Sequence, residues 1–390
     1  MTRPSCWMRR VGRCASGASY RSLTVPEPRR GANMIRYAVV GAGWISQEAF
    51  MPAVAQTGNS TIGALVSGNP DGALKLARFH GVDTIVGYDD YERLLNSDVV
   101  DAVYIAVPNP LHADYAIRAA RAGKHVLVEK PMATSVADAE AMIAAATQAG
   151  VLLSTCYRLH HEAGTIAALE AIREGRIGDP KYFSGVFGFQ SATGNHRLDS
   201  KNWGGPLQDI GIYCVNAARH IFSDEPVDAL AITTRRSGDP RFSDIDDAIA
   251  VTLRFPRDRI AQFYCSFGTA SVDMYRVLGT EGDLTMEPGF RFETPTRMVL
   301  NTKDASETMH FRHCDHFGGM IQRFSECIQR GTKPAASVEE GLADLKTLLA
   351  IEASARTGTV VSVEPTRFSR RNLTLDDVRA VPRTEKRLLL

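Results

Sequence analysis

From Ile35 to Thr155 the chain alternates short β-branched apolar runs with amphipathic stretches of helical period, and that alternation leaves few folds open. The candidate strands are Ile35–Val40, Thr61–Val66, Ala102–Ala106, His125–Val128 and Val151–Thr155. Between them, helical spacing marks Ile45–Gln56, Ala73–His80, Tyr91–Leu95, His112–Ala122 and Val136–Gln148. Strands joined by helical crossovers pair in parallel, so residues 34–155 are expected to form a doubly wound α/β domain.

After about Gly178 the pattern changes. Runs at Lys181–Phe189, Asp228–Thr234, Ala248–Phe255, Ile260–Phe267 and Ser271–Leu278 follow one another through turn signals such as Pro256-Arg257-Asp258, with one helical insertion near Leu207–Phe222. This predicts an α+β second domain over 156–364 with a large, mainly antiparallel sheet. Helix-period segments at Phe317–Gln329 and Ser337–Ala355 close it, and these C-terminal helices are expected to pack back on the first domain. A polar tail, 365–390, follows. Residues 1–33 carry seven Arg and a single acid, Glu27, with no apolar run fit for a secretory signal. They read as a leader, disordered or untranslated, with Met34 as the working start and a targeting segment as the alternative.

Charge and cysteine usage narrow the function. Lys plus Arg number 45 against 44 Asp plus Glu, and the basic residues concentrate at the two ends, leaving an acidic body that argues against nucleic acid as partner. No apolar stretch approaches the roughly 18–20 residues that span a bilayer. The seven cysteines are scattered, with no Cys-x-x-Cys pair, as expected in the cytoplasm.

The first strand runs into Gly41-Ala42-Gly43-Trp44-Ile45-Ser46. Gly41 permits a tight turn, Gly43 lets a pyrophosphate approach the backbone, and the helix that follows offers free N–H groups and a positive dipole end. Ser46 stands where a third glycine is usual. The second strand ends at Val66-Ser67-Gly68-Asn69, with Ser67 at the place of the carboxylate that binds free ribose hydroxyls. With no negative charge to repel a 2′-phosphate, and Ser67 and Asn69 able to donate to it, NADP(H) is favoured, with NAD(H) as the alternative.

The strand His125–Val128 ends in Glu129-Lys130-Pro131, which presents an ammonium at the carboxyl edge of the sheet, where ligands of such sheets bind. Further on, Asp209 and Tyr213 stand four apart on a segment of helical spacing, so both side chains fall on one face behind the loop Gly204-Gly205-Pro206.

Three stretches together, Gly41-Ala42-Gly43-Trp44-Ile45, Val128-Glu129-Lys130-Pro131-Met132-Ala133 and Gly204-Gly205-Pro206-Leu207-Gln208-Asp209-Ile210-Gly211-Ile212-Tyr213, resemble the signatures of the Gfo/Idh/MocA oxidoreductases. The glucose–fructose oxidoreductase branch is most similar, sharing also Ala64–Asn69 and Pro108-Asn109-Pro110-Leu111-His112-Ala113. The resemblance covers roughly 34–364. It implies a Rossmann domain, a C-terminal open sheet through which homodimers or homotetramers form, and NADP(H) use. It places Trp44, Ile45, Pro108, Asn109, His112, Glu129 and Lys130 beside Gly41, Gly43, Ser67 and Asn69 at the cofactor. Lys130, Asp209 and Tyr213 become the catalytic set: Tyr213 as base for a hydroxyl proton, Lys130 aligning the substrate oxygen, Asp209 holding a neighbouring hydroxyl. The function implied is hydride transfer between a nicotinamide and a ring carbon of a sugar or polyol. Dihydrodiol dehydrogenases with a similar Tyr, nucleotide-dependent glycosidases and non-catalytic nucleotide sensors are the alternatives. Two departures stand out: the twin-arginine signal of exported members is missing, and Met320-Ile321-Gln322-Arg323-Phe324 replaces the branch's Leu-Asp-His-Leu helix.

Tyr157-Arg158, where the branch also has Tyr-Arg, and His196-Arg197 are candidate substrate contacts. The cluster His310, His313, Cys314, Asp315, His316 reads as a strand-to-helix junction with Asp315 as N-cap, and no metal is expected there.

Overall fold

The computed structural model describes residues 18–21 and 34–383, which divide into two compact units. The first comprises 34–162, 314–342 and 376–383. Its sheet is parallel throughout, with the order Thr84–Val86, Ser60–Val66, Ile35–Val40, Ala102–Ile105, His125–Val128, Leu153–Thr155. That is the doubly wound order whose reversal lies between Ile35–Val40 and Ala102–Ile105, so a ligand crevice belongs outside the carboxyl ends of those two strands. Ile35–Val40, Ala102–Ile105, His125–Val128 and Leu153–Thr155 are buried on both faces, which is why they read as apolar runs without alternation. Thr84–Val86 escaped the sequence reading because three half-buried residues carry no measurable period.

Helix ends follow the sequence signals. Asn69, Ser135 and Asp315 each accept an N–H of the first turn, and Gly81, Gly150 and Gly331 close helices in the left-handed conformation. One helix departs from expectation. Where a regular α-helix over Ile45–Gln56 is predicted, Ser46–Phe50 form a π turn followed by α-helix over Met51–Val54. Pro52 has no N–H to give the carbonyl one turn back, and the Met51 N–H reaches Ser46 O instead.

The helix His316–Arg330 belongs to this unit. Ser325 Oγ lies 2.8 Å from both Tyr37 Oη and Ser60 Oγ in a buried hydroxyl cluster, and Asn59 Nδ2 donates to Gln322 O at 2.9 Å. Residues 156–162, assigned by sequence to the second domain, also fall here, because the turn Arg158–His161 packs on that helix. The tail is polar but folded as far as residue 383: Val378 and Val381 are buried, and Val381 O accepts the Asp315 N–H at 2.8 Å.

The second unit comprises 163–313 and 343–375 with Ala18–Arg21. Its ten-stranded sheet has the order Ala18–Arg21, Ser306–Phe311, Thr296–Thr302, Gly282–Met286, Gly268–Gly279, Pro180–Gln190, Arg259–Ser266, Ala248–Phe255, Asp228–Thr234, Val361–Ser362. Pairing is antiparallel except between Pro180–Gln190 and Arg259–Ser266 and between Ala18–Arg21 and Ser306–Phe311. The backbone of Ala18–Arg21, within the stretch read from sequence as a leader, pairs in parallel with Ser306–Phe311 at the edge of this sheet. The rest of the leader lies outside the described residues. The helix Ala163–Arg173 and the strands Thr296–Thr302 and Ser306–Phe311 were not anticipated.

The helix Ile212–Phe222, which continues the third motif, is anchored by charge. Arg219, fully buried, pairs with the equally buried Asp344 and with Glu225 at 2.6 Å, while Asn216 Nδ2 donates to Asp344 at 2.9 Å. Removing one member of such a pair strands the other without water. Asp344→Ala should lower unfolding free energy by about 3 kcal/mol or more, read from urea denaturation, whereas the apolar double replacement Arg219→Met/Asp344→Leu should recover much of the loss.

Candidate functional site

At the reversal of strand order, the turn Gly41–Ser46 approaches a neighbouring strand end. Gly41 has φ +96°, and a Cβ there would lie 2.6 Å from Ala106 O, so the fold itself demands glycine. Gly43 is different. A Cβ at Gly43 would meet nothing within 4 Å, and the space it would enter is a cleft of about 270 Å³ lined by Ala42, Gly43, Trp44, Gln47, Ser67, Asn69, Gly72 and Ala73. Four residues assigned to the cofactor from sequence, Gly43, Trp44, Ser67 and Asn69, thus surround one space. Side chains brace the turn from within: Ser46 Oγ donates to Gly41 O at 2.6 Å and Gln47 Nε2 to Ala42 O at 2.7 Å. Ser46, in place of the third glycine, has become a lock on the turn. Ile45 is half-buried beside it.

The other end of the cleft is the start of the helix Pro70–His80. Asn69 Oδ1 takes the Gly72 N–H at 3.0 Å, and Ser67 Oγ accepts the Asn69 N–H at 3.1 Å. No carboxylate lines the cleft, and Lys75 and Arg78 are exposed farther along the helix. Gly-rich backbone, a helix N-terminus at each end and neutral hydroxyl and amide groups fit a dinucleotide, with a 2′-phosphate unopposed at Ser67. Gln47, Gly72 and Ala73 were missed in sequence because only folding brings two helix starts to one cleft.

Lys130 stands half-buried on a cis Lys130–Pro131 bond. Glu129, buried beside it, accepts from Tyr104 Oη at 2.7 Å and from the Lys130 N–H at 3.3 Å. Burial raises the Glu129 carboxyl above its ordinary range, opposed by the Lys130 ammonium. Phe50 stacks on Tyr104 at 3.6 Å between ring centres, linking the π turn to Glu129. His112 is buried, with Nδ1 2.9 Å from Pro131 O and Nε2 3.0 Å from Val107 O. It sits between two turns at the strand ends, and its neutral ring, with a single N–H, donates to one of these carbonyls while the other nitrogen lies against main chain. Pro108 caps the single turn Asn109–Leu111 ahead of it. Tyr157 and Arg158 are buried, and Arg158 Nη1 lies 3.4 Å from His316 Nδ1.

In the other unit, Gly204 admits no Cβ, which would lie 2.3 Å from Arg197 O. That close approach holds the 195–206 loop against the third motif, where Arg197 Nε pairs with Asp209 Oδ1 at 3.0 Å. His196 is exposed in this loop. The motif opens as a second π turn, Leu207–Gly211, ahead of Ile212–Phe222. Between 205 and 216 every residue is buried except Asp209 and Tyr213, the two half-buried positions of one face. Trp203 Nε1 donates to Glu352 Oε1 at 2.8 Å and Gln208 donates to the same oxygen, while burial raises the Glu352 carboxyl. Tyr213 packs near Phe187 and Phe290, and Asp273 holds the Phe290 loop by accepting the N–H groups of Gly289, Phe290 and Arg291 at 2.7–3.1 Å. In the histidine cluster, Asp315 caps its helix through the Gly318 N–H at 2.9 Å and His313 Nε2 lies 2.6 Å from Phe292 O.

The family models give these units their class. Residues 35–157 match the oxidoreductase family with an NAD-binding Rossmann fold, and 165–285 match the GFO/IDH/MocA C-terminal domain. The chain belongs to the Gfo/Idh/MocA family of NAD(P)-dependent oxidoreductases. It is 30% identical over 340 residues to the NADP(+)-dependent D-xylose 1-dehydrogenase of Haloarcula marismortui, covering 85% of this chain and 94% of that one. The 1,5-anhydro-D-fructose reductase of Ensifer adhaerens is 30% identical over 335 residues, covering 85% and 99%. Among solved structures, the aldose-aldose oxidoreductase of Caulobacter crescentus complexed with glycerol superposes with a TM-score of 0.79 at 34% identity, over 85% of this chain and all of that one.

The clamp at Lys130 has a pH signature. Burial pushes the His112 imidazole down to about 4 against the pull of the two carbonyls, so the folded ring stays neutral where the unfolded one, near 6.5, takes up a proton. Its contribution is fully present above pH 6.5 and is lost as pH falls toward 4. Unfolding free energy should drop by about 3 kcal/mol across that window on account of this residue, and His112→Gln should flatten the profile measured by chemical denaturation at each pH.

Proposed function

We propose that the protein is an NADP(H)-dependent oxidoreductase acting at a ring carbon of an aldose or related polyol. The observation that carries the cofactor reading is the cleft at Gly43, open where a Cβ would sit and free of carboxylates beside Ser67. Sugar chemistry is supported by relatives named for D-xylose, 1,5-anhydro-D-fructose and aldoses. A bound nicotinamide supplies the hydride donor or acceptor.

The chain's own residues do the rest. Gly41, Gly43, Trp44 and Ile45 hold the pyrophosphate turn, Ser67 and Asn69 take the 2′-phosphate, and Pro108, Asn109, His112 and Glu129 shape the edge from which Lys130 projects. Tyr213 accepts the hydroxyl proton, Lys130 steadies the developing oxyanion, and Asp209, oriented by Arg197 at 3.0 Å, holds a neighbouring hydroxyl. Tyr157, Arg158 and His196 serve the substrate through further polar contacts. Leu230, Ile232, Ile260, Tyr264 and Leu278 are exposed on strands of the large sheet. Their apolar surface supports a homodimer or homotetramer formed through it. Among the described residues no helix is long and apolar enough to cross a membrane, and the five described cysteines are buried and in no disulfide, in keeping with a cytoplasmic enzyme.

The test is NADP(+) reduction followed at the nicotinamide absorbance over an aldose panel. Tyr213→Phe should cut kcat by ~10²–10⁴ with cofactor affinity unchanged, as for loss of one general base. Asp209→Asn should instead act mainly on the sugar KM. Normal turnover in Tyr213→Phe places the base elsewhere. A separate change, Ser67→Asp, should reverse the cofactor preference toward NAD(H), because a carboxylate repels the 2′-phosphate and pairs with ribose hydroxyls. Wild-type protein already preferring NAD(H) contradicts the assignment of Ser67.

A further inference from the structure

We propose that Arg383 is a positioning residue for dinucleotide binding, acting through Glu48 on the phosphate-binding turn; this rests on the reading of the Gly43 cleft as the dinucleotide site. Glu48 lies in the π turn Ser46–Phe50, the first turns of the helix that starts at the cleft, and its side chain is only 5% exposed. A carboxylate there suits the helix dipole in the empty protein, yet it carries the same sign as the pyrophosphate the turn is shaped to receive. Burial of the carboxylate leaves that repulsion weakly screened. Arg383 Nη2, 3.2 Å from Glu48 Oε1 and itself 17% exposed, cancels that charge.

The guanidinium arrives on a segment built to hold it. Arg379 makes a two-pronged pair with Glu326, Nε to Oε1 at 3.0 Å and Nη2 to Oε2 at 2.9 Å, and Arg323 reaches Asp377 at 3.5 Å. Val378 and Val381 are buried, and Gly318 leaves Val381 the space that a Cβ, 2.5 Å from Val381 Cγ1, would fill. Residues 376–383 thus form a strap along the helix His316–Arg330 that brings the Arg383 guanidinium to Glu48.

The experiment uses full-length protein, NADP(H) titrated with tryptophan fluorescence as readout, steady-state kinetics and thermal unfolding. Arg383→Ala should weaken NADP(H) binding about three- to tenfold with kcat at saturating cofactor unchanged, while Arg383→Lys retains affinity. Glu48→Gln alone should bind as tightly as wild type or more so. The deciding variant is Arg383→Ala/Glu48→Gln, which should recover to within about twofold of wild type although the strap's tie stays broken. A double variant as weak as Arg383→Ala alone overturns the proposal in favour of a mechanical tether, and so does wild-type affinity in Arg383→Ala. Wild-type protein that binds neither NADP(H) nor NAD(H) overturns the function reading and this inference with it.

Discussion

The approach of Gly41 to Ala106 governs the nucleotide-binding unit. Two parallel strands end side by side, Gly41 N–H bonding to Val66 O at 3.0 Å and Ala106 N–H to Val40 O at 2.9 Å, and a side chain at position 41 would drive a carbon into the Ala106 carbonyl. Because that contact closes, one strand turns at once into the helix with Trp44 while the other runs on into Val107, whose carbonyl His112 engages. The cleft is the space the two departing chains leave between them and the start of Pro70–His80.

From the same place a line of buried groups leads to Lys130. Phe50, on the π turn, stacks on Tyr104; Tyr104 donates to Glu129; Glu129 accepts the Lys130 N–H. Each polar member is buried and each has its partner, which is the condition for carrying polar groups inside without a large desolvation cost. The carboxyl kept above its usual range and the imidazole kept below it have one cause, exclusion of water from the edge of the sheet. The turn that carries the lysine is fixed by the Lys130 N–H bond to Glu129 and by His112 against the Pro131 carbonyl.

The other unit uses comparable devices. Gly204 lets the 195–206 loop lie on itself, the loop delivers Arg197 to Asp209, and Glu352 gathers Trp203 and Gln208 onto one oxygen. In both units a π turn opens the helix behind a glycine loop, at Ser46–Phe50 and Leu207–Gly211, and shifts the register in which the next side chains emerge.

The sequence alone determined five of the six strands between Ile35 and Thr155 and their alternation with helices, the two glycine loops, and the shared face of Asp209 and Tyr213, because these depend on periodicity, on the missing Cβ of glycine and on spacing within one element. The family, too, was legible in three short stretches, each with local backbone demands. What the sequence left undecided are matters of distance between segments far apart in the chain. That His112 clamps Pro131 and Val107, that Gln47 and Ala73 line one cleft, that Asp209 pairs with Arg197, and that Arg383 meets Glu48 follow from no local pattern. The tail reads as polar in composition because it is rich in arginines and acids; only packing turns them into ion pairs and buries the two valines among them, since burial depends on which surfaces the fold brings into contact.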